Sequence, residues 1–187
     1  MRSLNARTLL ALLCAFLAGM AVFRILSFTA TSAHPVGMGA RISGMFVFLI
    51  AVPAVYGIVR HGWRDELART LALLAIAGTV GTSFHWVPAA WVITIAAILG
   101  ILFLLFRTSG MKWFAALAIT LAISFLGFFL STLATSAFVR CDPQNRWLCE
   151  LAGFSMQFLT ALIACAGYVY GRTTALRIAA QRTPYFA

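Results

Sequence analysis

The chain has 187 residues, 63% apolar and only 10% charged, with 14 basic residues against 4 acidic ones and a formal net charge of +10. That composition excludes an ordinary soluble domain. It also argues against a nucleic-acid partner, because no basic run is interleaved with aromatic residues on a polar surface.

Six apolar stretches follow one another, at 8–30, 40–59, 70–84, 90–106, 113–138 and 151–171. A bilayer core takes ~20 apolar residues per helix, and lipid offers a bare backbone no hydrogen bonds, so runs of this kind form helices. The third and fourth are short for the purpose. The expected fold is all-α and integral to the membrane: a single domain over 1–187, with six transmembrane helices in three hairpins.

Charge sets the expected orientation. Arg2, Arg7, Arg60, Arg64, Arg69, Arg107, Lys112, Arg172, Arg177 and Arg182 share one side of a six-span chain, and Arg24, Arg41, Arg140 and Arg146 share the other. The richer side marks the cytoplasm, so both termini are expected there. Abundant Ala and Arg with little Lys point to a bacterial inner (cytoplasmic) membrane. The first stretch starts basic, but it is long and lacks a small-x-small cleavage site, so it reads as a retained helix.

In chain order, the first helix ends in polar residues: Arg24, Ser27, Thr29, Thr31 and Ser32. The second opens with Arg41 and Ser43 and carries Pro53 mid-span, where a kink is expected. Asp65 and Glu66 fall at the start of the third, where a helix dipole favours acids, and Gly78, Thr82 and His85 form a short stripe along it. Apart from Thr94 and Gly100 the fourth is apolar throughout and is expected to face lipid. Thr120, Ser124, Gly127, Ser131 and Thr135 line one face of the fifth. Gly153, Gln157, Thr160, Ala164, Gly167 and Gly171 line one face of the sixth. Small residues let membrane helices approach closely, and hydroxyls then bond across the contact. Trp63, Trp86, Trp91, Trp113 and Trp147 fall at span ends, the positions of an aromatic belt.

Between the last two spans lies Cys-Asp-Pro-Gln-Asn-Arg-Trp-Leu-Cys, with Cys141 and Cys149 at its ends. Asp142, Pro143 and Asn145 supply turn chemistry. On the oxidising side of the membrane the two thiols are expected to form a structural disulfide. Cys14 and Cys165 lie toward the reducing side and are expected to be buried free thiols.

No nucleophile–base motif appears, so an enzyme is disfavoured and no catalytic residue is assigned. Three histidines divided between the two sides give no convergent set for a metal or haem, so no metal site and no cofactor are expected. Polar groups nevertheless gather toward the outer side. An Arg within a span either snorkels to headgroups or faces a cavity. With no carboxylate inside any predicted span, Arg24 and Arg41 are the candidates to bind an anionic lipid headgroup, together with His85, Ser131 and Gln157. Two functions follow, and the first is favoured because nearly all the polar residues are hydroxyls or glycines, which suit helix contact. The first is a non-catalytic subunit of a membrane complex, packing against partner subunits or its own copies through the small-residue faces. The second is a small transporter or lipid-handling protein with an outward-facing polar pocket, whose partners are membrane lipids.

Overall fold

The computed structural model describes residues 5–33, 37–84, 87–138 and 146–181. They form six helices and, among the described residues, no strand: α1 Ala6–Ala33, α2 Gly37–His61, α3 Glu66–Ser83, α4 Pro88–Ser109, α5 Met111–Phe138 and α6 Arg146–Gln181. Five of these, α3 being the exception, are long and apolar enough to cross a membrane, which marks a multi-pass membrane protein. Glu66 and Arg69 in the first turns of α3 dilute its apolar character. It is nonetheless held inside the bundle, with Leu67, Ala68, Leu71, Leu74 and Ala75 buried.

Two tight turns fix the chain at one end of the bundle. The amide of Gly62 donates to the Ile58 carbonyl at 2.8 Å, closing α2, and Gly62 takes φ 85°. Gly110, between α4 and α5, takes φ 71°. A residue with a Cβ pays a steric penalty at such angles, so glycine is the natural helix stop at both places. Arg7, Arg60, Arg64, Arg69, Arg107, Lys112, Arg172 and Arg177 also gather here, making this the basic end of the bundle. At the opposite end Pro88 opens α4, where its missing N–H costs nothing.

α2 is the central helix: 61% of its span is buried, and it touches α1, α3, α5 and α6. Its buried face, Met45, Phe48, Leu49, Val52 and Tyr56, forms the middle of the apolar core. α4 lies at the other extreme, with only 11% of its span buried. Val92, Ile93, Leu99 and Phe103 point outward, as the apolar, stripe-free sequence of this helix leads one to expect. The three hairpins are therefore unequal: α1 packs on α2 and α5 on α6 extensively, whereas α3 leans more on α2 than on α4.

The small-residue stripes face each other within the chain. A Cβ on Gly127 would lie 2.4 Å from the Ile163 side chain, and one on Gly167 would lie 3.0 Å from that of Ile123. One on Gly171 would fall 2.6 Å from both the Ala116 carbonyl oxygen and Thr120 Oγ1. The Thr120 hydroxyl donates to the Ala116 carbonyl at 2.8 Å and reaches the Gly167 carbonyl at 3.4 Å, bridging α5 and α6. Ser124 and Thr160 are buried in the same contact layer. On α3, Gly78 admits Val47 of α2, and Gly81 admits Thr94 of α4. Along most of their length, the faces that the sequence offered to partner subunits are thus filled by the protein's own helices; at Gly153 of α6 a Cβ would meet nothing within 4 Å.

Backbone contact of this kind is unforgiving. Gly171→Ala is expected to lower the thermal stability of the protein in mild detergent by about 1–3 kcal/mol through overpacking. Gly100, where a Cβ would meet nothing within 4 Å, serves as control; Gly100→Ala should be neutral or stabilising by up to ~1 kcal/mol. Equal melting of the two variants would show that the α5–α6 contact is not close.

Candidate functional site

Two polar arrangements stand out against the apolar bundle, one at each end. At the basic end Asp65 is the N-cap of α3, accepting from the Ala68 amide at 3.1 Å. Its carboxylate does more than cap. Oδ1 also accepts from the Tyr168 hydroxyl at 2.7 Å, and Oδ2 accepts from Arg172 Nε at 2.6 Å. Tyr168 and Arg172 are four residues apart on α6 and so project from one face. The α2–α3 turn is thereby fastened to a helix more than a hundred residues away.

Packing holds this contact in place. Tyr168 is fully buried. Its ring meets Tyr56 edge-on at 5.8 Å and stacks against His61 at 6.0 Å. Gly57 leaves room for it, since a Cβ there would sit 2.6 Å from the Tyr168 ring and 2.7 Å from Ala68 Cβ. Burial alone would raise the Asp65 pKa, but the hydrogen bonds from Arg172, Tyr168 and the Ala68 amide, with the Arg172 charge, outweigh it and hold the carboxyl below its ordinary value.

The second arrangement is the seam between α1 and α6, which touch only sparingly. Toward the end opposite the basic one, Met20, Phe23 and Arg24 of α1 and Glu150, Gly153, Phe154 and Gln157 of α6 line a polar-walled cavity of about 420 Å³, and Arg24 and Glu150 are exposed. Deeper along the same seam, Leu9, Leu12, Leu13 and Phe16 of α1 and Phe158, Ala161, Leu162 and Cys165 of α6 line an apolar cavity of about 290 Å³. Phe16 stands between the two, its ring edge-on to Phe154 and to Phe158, each at 5.3 Å. One helical face supplies each wall: positions 9, 12, 13, 16, 20, 23 and 24 on α1, and 150, 153, 154, 157, 158, 161, 162 and 165 on α6.

Of the residues assigned from sequence to a headgroup site, the structure brings Arg24 and Gln157 together in this seam. Ser131 is not part of it. It is buried on α5, its Oγ without a hydrogen-bond partner. Arg41 lies on α2 with its side chain outside the described residues, and His85 is outside them altogether. Cys14 and Cys165 are free thiols, Cys165 buried and Cys14 half-buried. Cys149 is not without a partner, but Cys141, with which a disulfide is expected, lies outside the described residues.

Two residues have roles that the sequence does not announce. By hydropathy Glu150 belongs to a loop end; α6 begins earlier, at Arg146, so Glu150 stands on the helix and shares a cavity with Arg24. The spacing of Glu150, Gly153 and Gln157, three and then four, was the available signal. Asp65 is recognisable as a helix-start acid, but nothing local announces its partners on α6.

Removing the Asp65 contact should be costly. Asp65→Ala leaves the guanidinium of Arg172 and the Tyr168 hydroxyl without their acceptor, and is expected to lower stability by about 3 kcal/mol; Tyr168→Phe removes one bond of the set and should cost ~1 kcal/mol. The folded pKa of Asp65 lies below its unfolded value, so its contribution is present above the unfolded value and is lost as pH falls through the folded one. Thermal melts of the wild type should therefore lose stability below pH ~4, and Asp65→Asn should lack that component. A melt of Asp65→Asn that keeps the full acid dependence would refute this assignment.

Comparison of the chain with known protein families, with curated proteins and with solved structures returns no match. The seam itself is therefore the guide to function.

Proposed function

We propose that this is a lipid-handling protein of the bacterial inner membrane, binding a phospholipid-type amphiphile lengthwise in the α1–α6 seam. One observation carries the reading: the seam changes from polar to apolar along its length, as an amphiphile does. Arg24 offers a planar fork of donors suited to a phosphate, and Gln157 adds an amide beside it. The apolar half, from Phe16 down to Leu9, extends over about 10 Å of helix and takes the start of an acyl chain. Arg24 to Leu9 spans about 22 Å of α1, somewhat more than one leaflet of a ~30 Å core. The filling of most of the small-residue stripes inside the chain weakens the argument for a subunit that docks through those faces.

Orientation belongs to the same proposal. The excess of basic residues supports a cytoplasmic basic end with both termini on that side, and the polar half of the seam then opens to the outer leaflet. The loop with Cys141 and Cys149 then lies in an oxidising compartment, and a disulfide there is the expected staple.

Lipid retention tests the binding. Arg24→Leu is expected to cut co-purifying phospholipid by roughly tenfold or more, the scale of one charge-assisted hydrogen bond lost, with expression unchanged. Arg24→Lys keeps the charge but loses the fork and should weaken retention less. Leu13→Trp crowds the apolar half and should reduce retention with Arg24 intact. Wild-type retention in both Arg24→Leu and Leu13→Trp would sink the seam as a binding site.

Labelling tests the orientation. Cysteines introduced at Arg64 and Arg107 should react only from the cytoplasm, and one at Gln144 only from outside. Alkylation of the denatured protein without reduction, read by mass spectrometry, should modify Cys14 and Cys165 and spare Cys141 and Cys149. Reversed accessibility would overturn the orientation, and alkylated Cys141 and Cys149 would remove the staple.

A further inference from the structure

Arg24 is not the only charge in the polar half of the seam. Glu150 lines the same cavity of about 420 Å³, and no other charged residue among those described does, so the wall pairs one formal positive with one formal negative charge. A headgroup that is purely anionic satisfies Arg24 but brings its charge toward a carboxylate, which disfavours it. A headgroup with a phosphate and a cationic amine on a short linker meets both walls with opposite signs. Phe23, Gly153 and Phe154 line the same cavity beside Arg24 and Glu150. Glu150 is not an isolated charge in the structure, but an ionised carboxylate has acceptor sites for several donors, so an ammonium can share it.

Resting on the reading of the seam as a lipid site, we propose that its ligand is an aminophospholipid, with the phosphate at Arg24 and the primary ammonium at Glu150. Arg24 supplies affinity for any phospholipid, and Glu150 supplies the choice among them. Because Arg24 and Glu150 are exposed, the charge term is that of a solvated pair and is modest, about three- to fivefold in relative affinity.

The experiment reconstitutes the full chain with equal amounts of phosphatidylethanolamine and phosphatidylglycerol, re-extracts it in mild detergent and measures the retained lipids by mass spectrometry. The wild type is expected to enrich phosphatidylethanolamine about three- to fivefold. Glu150→Gln should bring the ratio to unity or below, and Glu150→Asp should preserve the preference. Matching melting temperatures for the three proteins exclude a folding defect. An unchanged ratio in Glu150→Gln, or a wild-type preference for phosphatidylglycerol, overturns the aminophospholipid assignment but leaves the seam. Retained lipid that is indifferent to Arg24→Leu, or absent from the wild type, overturns the seam and the assignment together.

Discussion

A lipid-facing bundle has no hydrophobic drive between its helices, because the surrounding tails are as apolar as the side chains. What organises this one is contact that lipid cannot imitate, and the carboxylate of Asp65 is its clearest case. Three donors from two distant parts of the chain converge on it: the Ala68 amide, the Tyr168 hydroxyl and Arg172 Nε. The side chain of Asp65 is 4% exposed and that of Arg172 26%. Leaving either alone would strand a charge in a poor solvent, so the two elements are held together more by the cost of separation than by the attraction itself. Through that pair α6 is fixed against the turn of α2 and α3. The α5–α6 hairpin then places α5, and α2 places α1.

The remaining cohesion is steric. At Gly127, Gly167 and Gly171 the α5 and α6 backbones come close enough that a methyl group would collide with a side chain or a carbonyl. Hydroxyls fill the polar needs of this layer locally. Thr120, Ser124 and Thr160 each donate to a carbonyl four residues back, which eases their burial, and Thr120 also reaches the Gly167 carbonyl across the interface. Where no such contact exists the helices stand apart. The α1–α6 seam is of that kind, bridged chiefly by the Phe16, Phe154 and Phe158 rings.

Much of this was legible in the sequence because composition and periodicity are local properties. The six helices, the outward face of α4 and the small-residue faces of α5 and α6 all follow from runs and spacings of three and four. What those faces would touch was not legible, because a stripe specifies close packing and not the identity of its neighbour. The same limit applied to charge. Asp65 advertised itself as a helix-start acid through its position before α3, yet its partners at 168 and 172 depend on how α6 crosses the turn. Glu150 was misplaced for a different reason. Apolar runs end before the helices that contain them, so the start of α6 at Arg146 could not be read from hydropathy. Of the residues assigned to a headgroup site, Arg24 and Gln157 line one cavity and Ser131 is buried elsewhere on α5, while Glu150, which lines that cavity with them, was not among those assigned.

The length of α6 carries a geometric consequence. Its 36 residues make a rod of about 54 Å, whereas a bilayer core is ~30 Å thick. Tilts of membrane helices reach about 40° at most, and even that leaves a rod of this length longer than the core. Part of α6 must therefore stand clear of the hydrocarbon. Arg172 is near the far end of this rod, so the turn it grips is moored to a mast that continues past it to Gln181. A load applied to that mast, by a docked body or a moving neighbour, would be passed by Arg172 and Asp65 straight into the central pair of helices, bypassing the loosely held α4.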